Sequence, residues 1–583
     1  MATLYQNTGR LHPSRSVFNL SHTFTGSCDI GYLFPVMLKS MAPGDIFEIG
    51  QNVLLKFEPI IKPLMQEINA YTWTFFVPYR LLDENFEDFV TGGWDGRHLP
   101  DGDDPISLPL WSGNFRTMQQ PDPNYTLYMQ YPTLYDYFGF SGNTSNNVNS
   151  YPTNERPKSG LIDYPLRAYN FIYNEYFRDQ NLEPEIEYPY NRQAVVDADK
   201  DPAKPGNRSY YAMSYYTSYN GQENLQDTNL FWGNWAKDYF TISLPFQQRG
   251  PSPALPLYGQ GDIVNSKTFF QDPTQLNPGP GQRGFDIEGG DPNIYMADGP
   301  GTRALYNYLN QNYLSGHVKL TEVNAGDVND LRWAFQIQKF MERNARIGAR
   351  YTEILYGRYG QPMQDVRLSR PEYIGGSKNP VIISEVLNMT EGSDHYPTGY
   401  RRGHGVSSRH TFIGKYRAKE FGLVMTLMCI KPIANYASQG YDREWTIKTP
   451  FDLITPEFVN LSEQAILNKE LFFIPTAPTW NDEIFGFQGR YDEYRSANNK
   501  VTTKERYGDF NDFNWTLRRK WDPNNQTNWP RLNMNFIKIN PHIHRRIYLK
   551  GTNDMGINYQ IGNIIKAIRP LPIIAEPGLI DHH

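Results

Sequence analysis

Tyr71-Thr72-Trp73-Thr74-Phe75-Phe76-Val77 is β-branched or aromatic at every position, and Pro78 stops the run. A half-exposed strand alternates apolar and polar residues, but this one is suited to cover on both faces. It therefore reads as a central strand of a sandwich. The sequence around it supports a sheet. Upstream, Val53, Leu55 and Phe57 recur with period two. Leu33, Val36 and Leu38 precede the breaker Ala42-Pro43-Gly44-Asp45. Far downstream, Phe421 to Ile430 forms a second strongly apolar strand. Asn535–Leu549 and Asn558–Ile568 predict two more. Strands at both ends with long insertions between them predict a mainly β protein, a sandwich or jelly roll whose edges meet other subunits.

The insertions are as telling as the strands. Residues 92–160 and 184–230 are rich in Gly, Pro, Asp, Asn and Tyr and read as loops. Residues 250–316 carry eight prolines and many glycines, too long a stretch for an ordinary connector, and are expected to project from the body. Two helices are expected. One opens at Asp163 with Pro165 near its first position, and repeats Leu166, Tyr169, Ile172, Tyr173 and Tyr176 at helical spacing. The other is capped by Asp327 or Asn329 and ends before Gly348. Its apolar face is Leu331, Ala334, Phe335, Ile337, Phe340 and Met341. The 583 residues would suggest about four domains, but no linker, charge block or repeat divides them. The expected organisation is 1–249 as the first part of the β core, 250–316 as a surface insertion, and 317–583 as a helix plus the second part of the core.

Composition narrows the function. Aromatics make up 15% while charged residues are only 20%, so the mean hydropathy of −0.61 comes from Tyr, Pro and uncharged polar residues rather than a charged disordered tail. Such loops order best against another surface. The formal net charge of −6 excludes a chain that neutralises much nucleic acid by itself. Cys28 and Cys429 allow at most one bridge, and Cys429 reads as a small core residue in a reducing compartment. The opening residues lack the basic and apolar regions of a secretory signal, and no window is long and apolar enough to span a membrane. Folding in a cytoplasm is expected.

Catalytic and metal patterns do not survive inspection. Gly279-Pro280-Gly281-Gln282-Arg283-Gly284 fits a dinucleotide fingerprint in letters alone, since Pro278 and Pro280 deny it a strand and a helix. His542 and His544, two apart on an expected strand, share a face, but Arg545 and Arg546 repel a cation. Asp482-Glu483 and Asp492-Glu493 read as solvated loop charge rather than a facing pair in a cleft. No enzyme activity, cofactor or metal is expected. The basic clusters are more suggestive: Arg10, His12 and Arg15; Arg401-Arg402-Gly403-His404; Arg518-Arg519-Lys520-Trp521; and His544-Arg545-Arg546. Cations for phosphates beside an aromatic face for bases is how single-stranded nucleic acid is held. Arg10, Arg15, Arg401, Arg402, Arg518, Arg519, Lys520 and Trp521 are the candidate contacts to single-stranded nucleic acid, against the plainer reading of a solvated or salt-bridged surface.

Several stretches resemble the major capsid proteins of the Microviridae, particularly their gokushovirus-like branch. They begin with Ser16-Val17-Phe18-Asn19-Leu20-Ser21-His22 and Phe75-Phe76-Val77-Pro78-Tyr79-Arg80-Leu81-Leu82. The most distinctive runs from Pro165 through Arg167-Ala168-Tyr169-Asn170 to Arg178-Asp179-Gln180-Asn181-Leu182. Asp238-Tyr239-Phe240-Thr241 with Leu244-Pro245, Asp330-Leu331-Arg332 through Gln338, Arg350-Tyr351-Thr352-Glu353, Arg370 to Gly376, and Pro577 to His582 follow in the family's order. The matches are collinear, and departures fall in the loops and at Tyr79.

The resemblance implies a viral jelly-roll β-sandwich. Pentamers would build a sixty-copy T=1 icosahedral shell around the circular single-stranded DNA of a tailless bacteriophage. It implies a virion protein assembled in the bacterial cytoplasm. Expected partners are a small basic DNA-condensing protein, an internal scaffolding protein, a DNA pilot protein and a host cell-surface receptor. The 250–316 insertion falls where such coats build a threefold protrusion, and Tyr258, Phe269, Phe270, Phe285 and Tyr295 become candidate host contacts. The rival reading is a β-rich carbohydrate-binding or carbohydrate-active protein whose aromatics stack on sugars.

Overall fold

The Tyr71 stretch lies inside a sheet with partners on both sides. In chain order the strands are β1 (Ser16–Asn19), β2 (His22–Cys28), β3 (Tyr32–Met41), β4 (Ile46–Phe57), β5 (Ile68–Pro78), β6 (Phe231–Trp232), β7 (Leu257–Ile263), β8 (Val318–Ala325), β9 (Glu372–Pro380), β10 (Ile382–Leu387), β11 (Arg401–Arg417), β12 (Gly422–Pro432), β13 (Asn435–Tyr436), β14 (Gln464–Leu467), β15 (Ile484–Gln488), β16 (Asn499–Lys500) and β17 (Ile557–Arg569). This computed structural model describes residues 15–93, 96–98, 100, 103–109, 134–140, 162–186, 230–253, 257–263, 318–325, 328–348, 350–360, 364–387, 401–461, 463–507, 515–549 and 555–574.

Two antiparallel sheets make the core, as a jelly-roll sandwich requires. One has the order β10–β11–β4–β17, with β2 and β1 following one another along the far side of β17. The other has the order β6–β3–β12–β5–β9. Strands from distant parts of the chain alternate in both. Ile557 of β17 pairs with Phe57 of β4, and Gly422 of β12 sits between Met41 of β3 and Pro78 of β5. This interleaving is why no linker cuts the sequence.

The burial patterns follow from the covering layers. β17 alternates, with Ile557, Tyr559, Ile561, Ile565 and Ala567 inside and Asn558, Gln560 and Lys566 outside, the pattern of a one-sided sheet. β12 is buried at every residue except Lys431, because its sheet is covered twice. The same cover explains the paired phenylalanines of β5: Phe75 meets Tyr176 at 4.7 Å between ring centroids, and Phe76 meets Tyr416 at 4.8 Å. Pro35 in β3 cannot donate to a ladder, and the β3–β12 register shifts between Thr426 and Leu427, where Leu427 comes to face it. Buried polar groups also tie the layers. Gln51 donates to Asn563 at 3.0 Å, and Asn563 reaches Val36 O of the other sheet at 2.8 Å. Cys28 and Cys429 are both free and fully buried.

The helix expected after Asp163 runs Tyr164–Ile172 and continues as a wider turn, Tyr173–Phe177. Asp163 makes no side-chain cap. It pairs instead with Arg167 at 2.8 Å, and Arg167 also donates to Leu82 O at 2.9 Å. Tyr169 locks the helix to the sheet: its hydroxyl donates to Leu33 O (2.7 Å) and accepts from Phe231 N (3.0 Å). The most distinctive motif is thus a structural one.

Two expectations fail. Asn535–Leu549 is not a strand but a chain of short turns, Met534–Ile537, Pro541–His544 and Arg545–Ile547. Asn533 accepts from Phe536 N and Asn540 from His542 N, so each asparagine caps a turn, and Pro541 occupies a first-turn position. His542 and His544 therefore do not line a strand face. Their neighbour Arg545 is not solvated either: it is buried against Asp29 at 2.6 Å.

Residues Gln248–Arg346 form a second compact unit. Within it β7 and β8 pair antiparallel from Leu257↔Ala325 to Ile263↔Val318, so the chain leaves at Ile263 and returns alongside at Val318. The helix spans Val328–Ile347, near its expected bounds. Ala334 is buried, but Phe335 is 64% and Phe340 51% exposed.

Candidate nucleic-acid interface

The cluster Arg518-Arg519-Lys520-Trp521 leads into a cleft. The chain there is held in place by backbone bonds. Arg519 N donates to Asn435 O at 2.7 Å, Ala437 N to Arg519 O at 3.0 Å, and Trp521 N to Ser438 Oγ at 3.2 Å. Arg519 then turns inward among rings. Its guanidinium lies 4.0 Å from the Phe536 centroid and 5.3, 5.4 and 5.5 Å from Trp235, Tyr436 and Trp521. It also donates to Phe536 O at 2.5 Å and to the Tyr436 hydroxyl at 3.2 Å. A cation stacked this way rigidifies an aromatic wall.

The cleft encloses about 390 Å³. Trp232, Trp235, Trp521, Trp529 and Phe536 supply its aromatic surface, and Arg518, Arg519, Lys520, Arg531 and Lys538 its charge; among the described residues no Asp or Glu lines it. Trp529 is half-buried on the core, 5.0 Å from Trp480 between centroids, and its indole donates to Pro523 O at 3.3 Å. Deeper in, Trp235 donates to Lys538 O at 3.0 Å. The Lys538 ammonium turns away to Glu183 (2.8 Å) and the Tyr173 hydroxyl (2.6 Å). Burial pushes the His544 imidazole down to about 3, with Arg546 and Arg519 adding to the effect, so it is neutral. Its Nδ1 has no hydrogen-bond partner among the described residues. Arg531 at the mouth is exposed and unpaired among the described residues.

The structure gathers Arg518, Arg519, Lys520 and Trp521 at this cleft and leaves Arg15, Arg401 and Arg402 elsewhere. Arg518 is buried and donates to Glu505 O, and Arg519 is caged, so neither is a solvated hand for phosphate. Arg15 is exposed beside Gly44. Arg401 is exposed on β11, 3.7 Å from Glu385, with Arg402 beside it; neither lines the cleft. Tyr258 falls on β7, whereas Arg10, Phe269, Phe270, Phe285 and Tyr295 lie outside the described residues. Sequence reading missed Trp529, Arg531 and Trp235, and named His544 only in a separate basic cluster. The only signal was Trp521 and Trp529 bracketing a polar turn of Pro and Asn.

One acidic pair departs from expectation. Asp482 is exposed and pairs with Lys469 at 2.7 Å, but the Glu493 side chain is only 8% exposed. Arg443 lies 3.7 Å from Glu493 and 3.5 Å from Glu470, and Glu470 accepts from Tyr239 at 3.0 Å and Leu467 N at 3.0 Å. The carboxylates are bound into the fold around one cation. Among the described residues no group of three His, Cys, Asp or Glu could hold a metal, and no helix is long and apolar enough to cross a membrane.

Comparison with known proteins gives a consistent result. A family model described as "Capsid protein (F protein)" matches residues 8–579. The chain is 28% identical to "Capsid protein VP1" of Chlamydia phage 1 over 624 residues, covering 97% of this chain and 96% of that one. It is 27% identical to the protein of the same name from Bdellovibrio phage phiMH2K (92% and 90% covered) and 23% identical to that of Spiroplasma virus 4 (97% and 96% covered).

Proposed function

Because the chain belongs to the capsid protein (F protein) family, we propose that its shell is a T=1 icosahedron of sixty copies enclosing circular single-stranded DNA. The chain is a phage capsid protein that assembles with its own copies, and its place is the virion. The two-sheet core supplies a stiff body, and the Tyr- and Asn-rich insertions supply contacts around symmetry axes. Assembly takes place in the bacterial cytoplasm with an internal scaffolding protein, and a DNA pilot protein joins the particle. The 250–316 insertion contributes to host attachment through a cell-surface receptor.

The observation that carries the DNA reading is the cleft, whose lining among the described residues has five cations, five aromatic rings and no carboxylate. Phosphates and bases need that combination, whereas a neutral sugar does not need the cations. The chain's net charge of −6 implies that DNA contact is local and that a small basic protein shares the neutralisation. Purified, unassembled coat protein incubated with labelled single-stranded DNA at rising salt tests this. Weak binding with a shallow salt slope supports the reading. Tight binding with a steep slope would make the coat the main neutraliser and contradict it.

A further inference from the structure

We infer that the Trp529 cleft is a socket for one unstacked nucleobase, with Arg531 taking an adjoining phosphate. The inference rests on the reading that the chain contacts single-stranded DNA, and it assigns that contact to one place and one chemistry. Three independent features point there. The first is size. At about 390 Å³ the cleft is at the small-ligand end of the usual range of about 300–1,000 Å³, so it takes a nucleotide rather than a length of strand.

The second feature is a division of labour among the residues. Arg519 is consumed by its ring cage and by the Phe536 carbonyl, and the Lys538 ammonium by Glu183. These two cations build the wall and bias its potential without being spent on phosphate. Arg531 is exposed at the mouth and unpaired among the described residues, so it is the one positioned for a phosphate outside. Trp529 is held from behind by Trp480 and by its own indole bond to Pro523 O. That fixes the ring as a stacking surface before any base arrives, which limits the ordering cost of binding.

The third feature is His544. It is 4% exposed, lines the cleft, is held neutral by burial, and keeps Nδ1 without a partner among the described residues. A buried ring nitrogen left unpaired is costly unless a ligand satisfies it. A neutral imidazole can donate to or accept from a base edge as its tautomer allows. A phosphate inside the cleft would gain little from that group.

The test is fluorescence anisotropy on the full chain with a 5′-labelled oligothymidylate of twelve residues and an abasic strand of equal length and charge. Stacking of one base predicts that the thymidylate binds about 5- to 150-fold tighter than the abasic strand. Trp529→Ala abolishes that difference and Trp529→Phe retains most of it. Arg531→Gln, at an exposed site that leaves the fold intact, keeps the preference for bases. It lowers the slope of log K against log salt by about 0.7, one single-strand phosphate. Equal affinity for the two strands overturns the socket, as does an unchanged preference in Trp529→Phe and Trp529→Ala together. Trp529-dependent displacement of the label by a neutral oligosaccharide, with no preference for bases, also overturns it and makes the cleft a sugar site. Particle formation by the same preparation is scored separately. Shells without base preference sink only the socket, and base preference without shells sinks only the shell reading.

Discussion

Replacing Tyr169 by Phe removes one oxygen and no volume. Tyr169 is fully buried, stacks on Phe231 at 5.1 Å, and its hydroxyl bridges Leu33 O at 2.7 Å and Phe231 N at 3.0 Å. The phenyl ring stays packed, so no cavity term enters. What is lost is two buried hydrogen bonds, and a backbone N–H and a carbonyl each lose a partner. At about 1–3 kcal/mol for each stranded group, Tyr169→Phe should cost about 2–6 kcal/mol. Tyr137→Phe is the internal control: its hydroxyl makes one bond, to Ser27 O at 2.8 Å, and should cost about half as much. Urea unfolding of dissociated subunits gives both values from the shift in midpoint at constant slope. A Tyr169→Phe cost below about 0.5 kcal/mol, or one no larger than that of Tyr137→Phe, would refute the claim that the helix is hydrogen-bonded onto the sheet edge.

Further outcomes follow from the buried charges and the insertion. Glu183→Ala strands the buried Lys538 ammonium, paired now at 2.8 Å with both side chains under 4% exposed; it should destabilise by about 3–5 kcal/mol in the same unfolding assay. His544 is held at about 3 and His542 at about 4 by burial, against 6.5 ordinarily. The unfolded chain therefore binds protons first as pH falls from about 6.5 towards 4, and stability is lost by up to about 1.4 kcal/mol per pH unit for each histidine. Asp163, raised to about 6 by burial, pulls the other way. The wild type is therefore compared with His544→Gln, which should show a flatter loss of stability between pH 6.5 and 4. Replacing residues 264–317 by a two-residue turn between Ile263 and Val318, which lie side by side, should leave particle assembly intact and abolish adsorption to host cells, measured by loss of infectious particles from the supernatant.

The β framework was legible because its cause is local and repeated. Phe75 and Phe76 announce a strand covered twice, and the burial of both confirms it. Gly422–Pro432 and Ile557–Arg569 were found within two residues for the same reason. Asn535–Leu549 misled because Ile537, Ile539, Ile543 and Ile547 keep an apolar rhythm in what is a string of capped turns, and the caps at Asn533 and Asn540 outweigh it. The helix Val328–Ile347 was legible as a helix, but its apolar residues do not mark a buried face: Trp333 is 69% exposed in the single chain. The cleft was half legible. Arg518 to Trp521 stood out as cations beside an indole, but Trp235 and Trp529 reach them only through the fold, across hundreds of residues in one case. Nor could sequence show that Arg519 would be spent on rings rather than phosphate.

The central claim is a closed shell whose subunits hold single-stranded DNA on their inner face. An icosahedrally averaged cryo-electron reconstruction of DNA-filled particles tests it most directly. A T=1 shell of sixty 67.5 kDa chains has a protein mass of about 4 MDa. The account predicts that shell, with the Trp529–Arg531 cleft open to the lumen and density for a base against Trp529. A particle of other symmetry, or a cleft that faces outward or stays empty against the DNA, would contradict it.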